Sequence, residues 1–241
     1  SLCNDICPHK WTAAEVERFP AYSNDPDPMP DEILLGIDYN CNLKCPMCRI
    51  GSTFEKKVEP TAQAILDRLV ESYRDTTRPT VLQMDGAGDV FASEAWKQFL
   101  RRDDIPECFT FHMITNGNLV TKNKDLILGH RHRISSVDVS LDATTDDVYS
   151  QVRGGRLSTV VGGMEWMRSQ GIRTTISFVV QSRNYQQMLD CWRLAQRLGC
   201  HSVNFQGIKR YPHMTDDYWR HTRLEDNPAV DMTALREALT E

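Results

Sequence analysis

Three cysteines stand within eight residues, in the run Asn40-Cys41-Asn42-Leu43-Lys44-Cys45-Pro46-Met47-Cys48. Thiolates so close together are soft ligands, which select zinc, copper(I) or iron–sulfur clusters. An odd number in so short a stretch cannot pair off into local disulfides, and the other five cysteines, Cys3, Cys7, Cys108, Cys191 and Cys200, are scattered. Structural zinc is usually closed by four ligands, commonly two separated Cys-x2-Cys pairs. Here the spacing is Cys-x3-Cys-x2-Cys and no second pair follows. Three thiolates on a four-iron cube leave one iron without a protein ligand, open to a substrate or cofactor. The spacing favours an iron–sulfur cluster. A zinc site completed by a distant His, or three unrelated buried thiols, are the alternatives.

These residues need a scaffold, and the pattern of apolar residues supplies one. Strands are expected at 33–39, 80–85, 110–115, 135–141, 173–180 and 201–207, from β-type apolar runs. Helices are expected at 61–75, 93–102, 122–130, 157–170 and 184–199, with a last one at 230–240. In the first of these Ile65, Leu66, Leu69 and Val70 share one face. Asn184 is placed to cap the fifth helix, and Gly199 to end it in a left-handed conformation. Six βα units imply an α/β fold with parallel strands and right-handed crossovers. The sheet is either open and doubly wound or a complete or partial barrel. In both, ligands sit at the carboxyl ends of the strands. The cysteine loop directly follows the first strand, at that end.

Other motifs follow the same rule. Asp85-Gly86-Ala87-Gly88-Asp89-Val90-Phe91 follows strand two, and its glycines let backbone approach a ligand closely. It is not a dinucleotide fingerprint, because Phe91 occupies the third glycine position. Thr115-Asn116-Gly117 follows strand three. Ser140-Leu141-Asp142 follows strand four and precedes Arg153-Gly154-Gly155.

The cysteine motif in a six-fold βα chain resembles the radical S-adenosylmethionine (radical SAM) superfamily. The Cys-Asn-Leu-Lys-Cys-Pro-Met-Cys wording is similar to members that carry auxiliary cluster modules of the SPASM or twitch type. The resemblance spans 33–208 and implies a partial (β/α)6 TIM-like barrel with one [4Fe-4S] cluster on Cys41, Cys45 and Cys48. It also implies S-adenosylmethionine chelated to the free iron and cleaved to a 5′-deoxyadenosyl radical, which abstracts hydrogen from substrate. Met47 replaces the family's usual aromatic and can pack against adenine. Gly86, Ala87, Gly88 and Asp89 resemble the Gly-Gly-Glu-Pro element that meets the methionine amino group, although Ala87, Asp89 and Val90 depart from it. Asn116 belongs to the Thr-Asn-Gly often seen after strand three. Ser140, Asp142 and Arg153 match positions used for the cofactor's carboxylate and ribose, Arg being suited to a carboxylate. Val179, Val180 and Gln181 end strand five, and Phe205 and Gln206 end strand six. These residues, Val180 and Gln206 foremost, are expected to line the adenine and ribose, with core packing the alternative.

Residues 1–31 read as an irregular, Pro-rich lead-in with a short helix near 11–19, ahead of the catalytic domain at 32–241. Ser1 is not an initiator Met, so the chain reads as a trimmed piece of something longer. Cys3 and Cys7 are either ordinary lead-in thiols or the remnant of an auxiliary Fe–S module, which would bring a second cluster. Cys108, Cys191 and Cys200 read as buried small apolar residues. His112 reads as a satisfied core histidine, and 130–133 (His-Arg-His-Arg) as a solvated helix end. The aromatic and basic segment from Lys209 to His221, including Arg210, Tyr211 and His213, is expected to gate the substrate.

Composition bounds the rest. With 28 Lys and Arg against 33 Asp and Glu the net charge is −5, which argues against nucleic-acid binding as the main task. Hydrophobic residues at 40% and charged at 25% exclude disorder and low complexity. No apolar run reaches membrane length and no signal peptide is visible, so the expected location is the cytoplasm. The expected partners are a one-electron reductant, such as flavodoxin or ferredoxin, and a small-molecule or peptide substrate. A carbohydrate or small metabolite is slightly preferred, since no peptide-docking domain is visible. The competing readings are a non-enzymatic zinc or structural-cluster protein, and an inactive relative that the altered Gly-Ala-Gly-Asp element would permit.

Overall fold

A computed structural model describes residues 29–48, 58, 60–85, 88–225, 227, 228, 230, 231 and 233. Its centre is a six-stranded sheet in which every pairing is parallel and the spatial order equals the chain order. The strands are β1 (Glu32–Gly36), β2 (Thr80–Asp85), β3 (Phe109–Thr115), β4 (Ile134–Ser140), β5 (Thr174–Val180) and β6 (Ser202–Gly207). Parallel neighbours require long crossovers, and helices supply them. They are α1 (Pro60–Tyr73), α2 (Glu94–Phe99), α3 (Lys124–Gly129), α4 (Asp146–Val152), α5 (Leu157–Ser169) and α6 (Met188–Leu198), with α7 (Asp216–Thr222) after β6. Among the described residues β1 pairs only with β2 and β6 only with β5, so the sheet is an open, partial barrel of the expected class.

Strand alternation divides the side chains. In β3, Phe109, Phe111 and Met113 are buried, while Thr110, His112 and Ile114 are half-buried on the other face. The buried face continues through Leu82 and Met84, Val137 and Val139, and Ile176 and Phe178. Apolar stripes of the helices bury themselves too, Leu66, Val70 and Tyr73 from α1 and Val160, Met164 and Met167 from α5. Aromatic rings meet along this buried face. Tyr73 lies 4.8 Å from Phe109 by ring centroids, and Phe99 lies 6.4 Å from Phe111.

The opposite face is unusually polar. Gln83, His112, Ser136, Asp138, Thr175, Ser177 and Asn204 all belong to it by register. His112, expected in the core, is therefore on the open side. Ser136 Oγ is 3.0 Å from its Nδ1, and Asp138 Oδ2 is 3.4 Å from its Nε2.

Other expectations are corrected. No helix is expected where α4 and α7 stand, although both carry start signals: Thr145 followed by Asp146 and Asp147, and Thr215 followed by Asp216 and Asp217. Each has only seven residues, too few for an apolar period to show. The segment at 130–133 is a solvated end only in part, at the exposed Arg131 and His132. His130 is half-buried with its Nε2 2.6 Å from the Leu100 carbonyl. Arg133 is buried, donates to the Pro106 carbonyl, and lies over the Phe111 ring at 5.5 Å. Asn184 does not cap α6. Its side chain accepts from Gln181 N and donates to the carbonyls of Asp142 and Val179. Gly199 does end α6, at φ +63°. Cys191 is buried, whereas Cys108 and Cys200 are half-buried. The expected helix at 11–19, Cys3 and Cys7 lie outside the described residues, as does nearly all of 230–240. Among the described residues no helix is long and apolar enough to cross a membrane.

Candidate active site

The cysteine loop is moored to its neighbours before any ligand is considered. Beyond β1, Asp38 accepts from Asn40 N at 3.0 Å and from Ser93 Oγ at 2.5 Å. Ser93 also caps α2 by accepting from Trp96 N at 3.1 Å, so one hydroxyl ties the helix start to the loop. Buried Asn40 accepts from Asp89 N through its carbonyl at 2.7 Å. Gly88 makes this approach feasible: a Cβ there would stand 2.1 Å from the Asn40 oxygen. The glycine is demanded by the cysteine loop packed against it.

Asp89 is a junction. Its Oδ1 accepts from Phe91 N at 3.0 Å, and its Oδ2 from Thr115 Oγ1 at 2.8 Å and Asn116 N at 2.6 Å. Burial pushes its carboxyl up, opposed by these donors. This side chain, one that departs from the family wording, thus joins the loop after β2 to the loop after β3. Next to it, Asn116 donates through Nδ2 to Asn42 Oδ1 at 3.0 Å and approaches Cys41 Sγ at 3.5 Å. Gly117 closes the turn at φ +79°, where a Cβ would strike Val160.

Cys41, Cys45 and Cys48 line one cavity of about 250 Å³. Leu43, Met47, Ile114 and Val179 give it apolar walls, with Gly88, Asp89, Thr115, Asn116, Ser140, Arg153 and Tyr211 completing them. Burial pushes the Cys41 thiol up to about 11, with the Leu43 N–H opposing and the charges of Asp89 and Cys45 adding to the rise. Burial also pushes the Cys45 thiol up, with Arg153 opposing. Both thiols are therefore held protonated at neutral pH until a metal displaces the protons.

Arg153 stands against Cys45. Its Nη1 is 3.8 Å from the sulfur, and the thiol is 3.7 Å from its carbonyl oxygen. Its Nη2 pairs with Asp142 Oδ2 at 2.5 Å, the two side chains being 12% and 0% exposed. Burial pushes the Asp142 carboxyl up, and Arg153 works against that rise. Asp142 also accepts from Val179 N at 2.6 Å. Arg153 is thus no surface ion pair at a helix end but half of a buried one.

The structure gathers most of the residues that the sequence singled out around this cavity: Cys41, Cys45, Met47, Cys48, Gly88, Asp89, Asn116, Ser140 and Arg153. Three are elsewhere. Val180 is buried on the core face, and its neighbour Val179 takes the cavity wall, as strand alternation requires. Gln206 is exposed on the edge strand. Asp142 lies behind the wall, held against Arg153. Gly86 and Ala87 lie outside the described residues. Leu43 and Ile114 were missed. Ile114 was readable as the residue two beyond His112 on one strand face, whereas Leu43 gave no signal beyond its place between two thiols.

Among the described residues no three of His, Cys, Asp and Glu converge on one ion-sized point. The three thiols instead line one shared cavity. A multi-iron cluster takes each thiolate on a separate iron, so it needs no such convergence, and the site fits it better than a single zinc ion.

Comparison with known proteins agrees with this geometry. The family model described as Radical SAM superfamily matches residues 37–195. The chain is 22% identical over 214 residues to the antilisterial bacteriocin subtilosin biosynthesis protein AlbA of Bacillus subtilis (strain 168), covering 82% of this chain and 45% of AlbA. In fold it is similar to Streptococcus suis SuiB bound to S-adenosylmethionine, at TM-score 0.64 and 14% identity, over 88% of this chain and 47% of SuiB. It is also similar to anSMEcpe with bound AdoMet, at TM-score 0.57 and 16% identity, over 79% of this chain and 55% of that one. At these identities the structural likenesses establish the fold alone. The chain spans about half the length of the relatives it matches.

Proposed function

The chain belongs to the radical SAM superfamily, and from that premise we propose that it acts as a radical SAM enzyme with Cys41, Cys45 and Cys48 as the protein ligands of a [4Fe-4S] cluster. The observation that carries this reading is the three thiols lining one cavity at the carboxyl edge of a parallel sheet. When bound, the cluster and S-adenosylmethionine supply reductive cleavage of a sulfonium C–S bond, and through it hydrogen abstraction from substrate. The chain's own residues bind, orient and exclude water. Met47, Leu43, Ile114 and Val179 offer an apolar lining for the adenine and keep the space dry. Gly88 leaves backbone exposed to the methionine end, with Asn116 and Ser140 as polar neighbours. Asp89 keeps the loops after β2 and β3 in one arrangement.

A peptide is the substrate class we favour. SuiB has been solved with precursor peptide SuiA and anSMEcpe with the Cp18Cys peptide, and AlbA is a bacteriocin biosynthesis protein. These partners outweigh the slight preference for a carbohydrate. Tyr211 on the cavity wall and the exposed Lys209, Arg210 and His213 beside it are the proposed substrate-facing segment. A flavodoxin or ferredoxin is the proposed electron donor. The test is anaerobic reconstitution, reduction and addition of S-adenosylmethionine, with 5′-deoxyadenosine measured. Product from the parent and none from a C41A/C45A/C48A variant is expected. Zinc in place of iron and sulfide would sink the reading, and iron well above one cluster's complement that is lost in a C3A/C7A variant would place a second cluster at Cys3 and Cys7.

A further inference from the structure

Asp142 has the one positive φ of a non-glycine residue among those described, +57°. A left-handed residue is strained, though Asp tolerates it better than most. Such a conformation persists only where the surroundings over-determine it, and here they do. The Asp142 carbonyl accepts from Asn184 Nδ2 at 2.8 Å, and its Oδ1 accepts from Val179 N at 2.6 Å. Those bonds leave Oδ2 as the oxygen in ion-pair contact with Arg153 Nη2, 2.5 Å away. The same guanidinium reaches Cys45 Sγ with Nη1. Backbone strain, a buried carboxylate, a largely buried cation and a candidate cluster thiol therefore form one connected line.

We propose that Asp142 is a positioning residue that holds the Arg153 cation against the Cys45 sulfur, and that this contact raises the reduction potential of the cluster. The inference rests on the assignment of Cys45 as a cluster ligand. Cluster potentials respond to net charge, hydrogen bonds to the sulfurs and burial. A cation in a poorly solvated position acts strongly on a charge beside it. Reduction adds one electron, taken from the flavodoxin- or ferredoxin-like donor proposed above, and no bond or proton changes hands. The product carries one more negative charge, so a cation at Cys45 stabilises it more than the oxidised form. Arg suits this place better than Lys, because its planar fork serves Asp142 and Cys45 at once.

The test is an EPR-monitored redox titration of the reconstituted full chain without S-adenosylmethionine, so that loss of cofactor binding cannot mimic the effect. Arg153→Gln should lower the reduction equilibrium constant at least tenfold, a shift of about 59 mV to more negative potential for one electron. Arg153→Lys keeps the charge but not the fork, and should move the potential part of the way. Asp142→Glu keeps the net charge and lengthens the arm at a left-handed residue, so a downward shift there reports position alone. If Arg153→Gln fails to hold iron and sulfide, the Lys variant carries the measurement. Parental potentials in the Arg153 variants would overturn the tuning role, and a parental potential in Asp142→Glu would overturn the positioning role. A parent without a cluster would instead remove the assignment of the three thiols.

Discussion

Asp89 has more at stake than any other carboxylate near the thiols. Replacing it with Ala would strand the buried amides of Phe91 and Asn116 and the Thr115 hydroxyl, since all three donate to it. Unsatisfied buried donors are expensive, and we expect D89A to lose roughly 3 kcal/mol in urea unfolding. Gly88→Ala should cost roughly 1–3 kcal/mol by forcing the Asn40 loop outward, with reduced iron uptake on reconstitution. Unchanged stability and iron content in G88A would mean that the loop gives way more easily than the 2.1 Å approach implies. The glycines and the acid were visible in the sequence as a βα turn at the ligand end. That Asp89 binds Asn116 was not, because the partners are far apart in the chain and meet only when β2 and β3 pair.

Among the elements, α2 and α3 give separable tests. Ser93 caps α2 and also donates to Asp38, so Ser93→Ala should cost about 1–2 kcal/mol, more than a lone surface cap would. At the end of α3, burial holds His130 below the usual histidine range, with Arg133 and His132 adding to that and the Leu100 carbonyl opposing. A depressed folded pKa contributes stability that is present above the unfolded value of about 6.5 and lost as pH falls through the folded one. Unfolding midpoints of the parent should therefore fall more steeply from pH 7 to pH 5 than those of His130→Gln. Parallel profiles would show that the ring is free to charge. The sequence placed this residue at a helix end correctly, but while Arg131 and His132 there are exposed, His130 and Arg133 turn toward the interior.

The whole molecule is a sheet with one apolar and one polar face, and its stability is distributed accordingly. Phe111 on the central strand β3 is fully buried, so Phe111→Ala should cost about 3–5 kcal/mol. Leu34 on edge strand β1 is 60% exposed, and Leu34→Ala should change stability by less than about 0.5 kcal/mol. Denaturant unfolding compares the two directly, and equal losses would mean that β1 is covered in solution. Much of this architecture was legible. The six βα units, the parallel sheet and the thiol loop at its carboxyl edge follow from apolar period, element order and cysteine spacing, all of which are local in the chain. Tertiary structure alone decided which of Val179 and Val180 faces the cavity, why Asp142 is left-handed, and that Arg153 meets both Asp142 and Cys45. Those depend on register between strands and on which polar groups lose water together, and neither quantity is written in any one stretch of sequence.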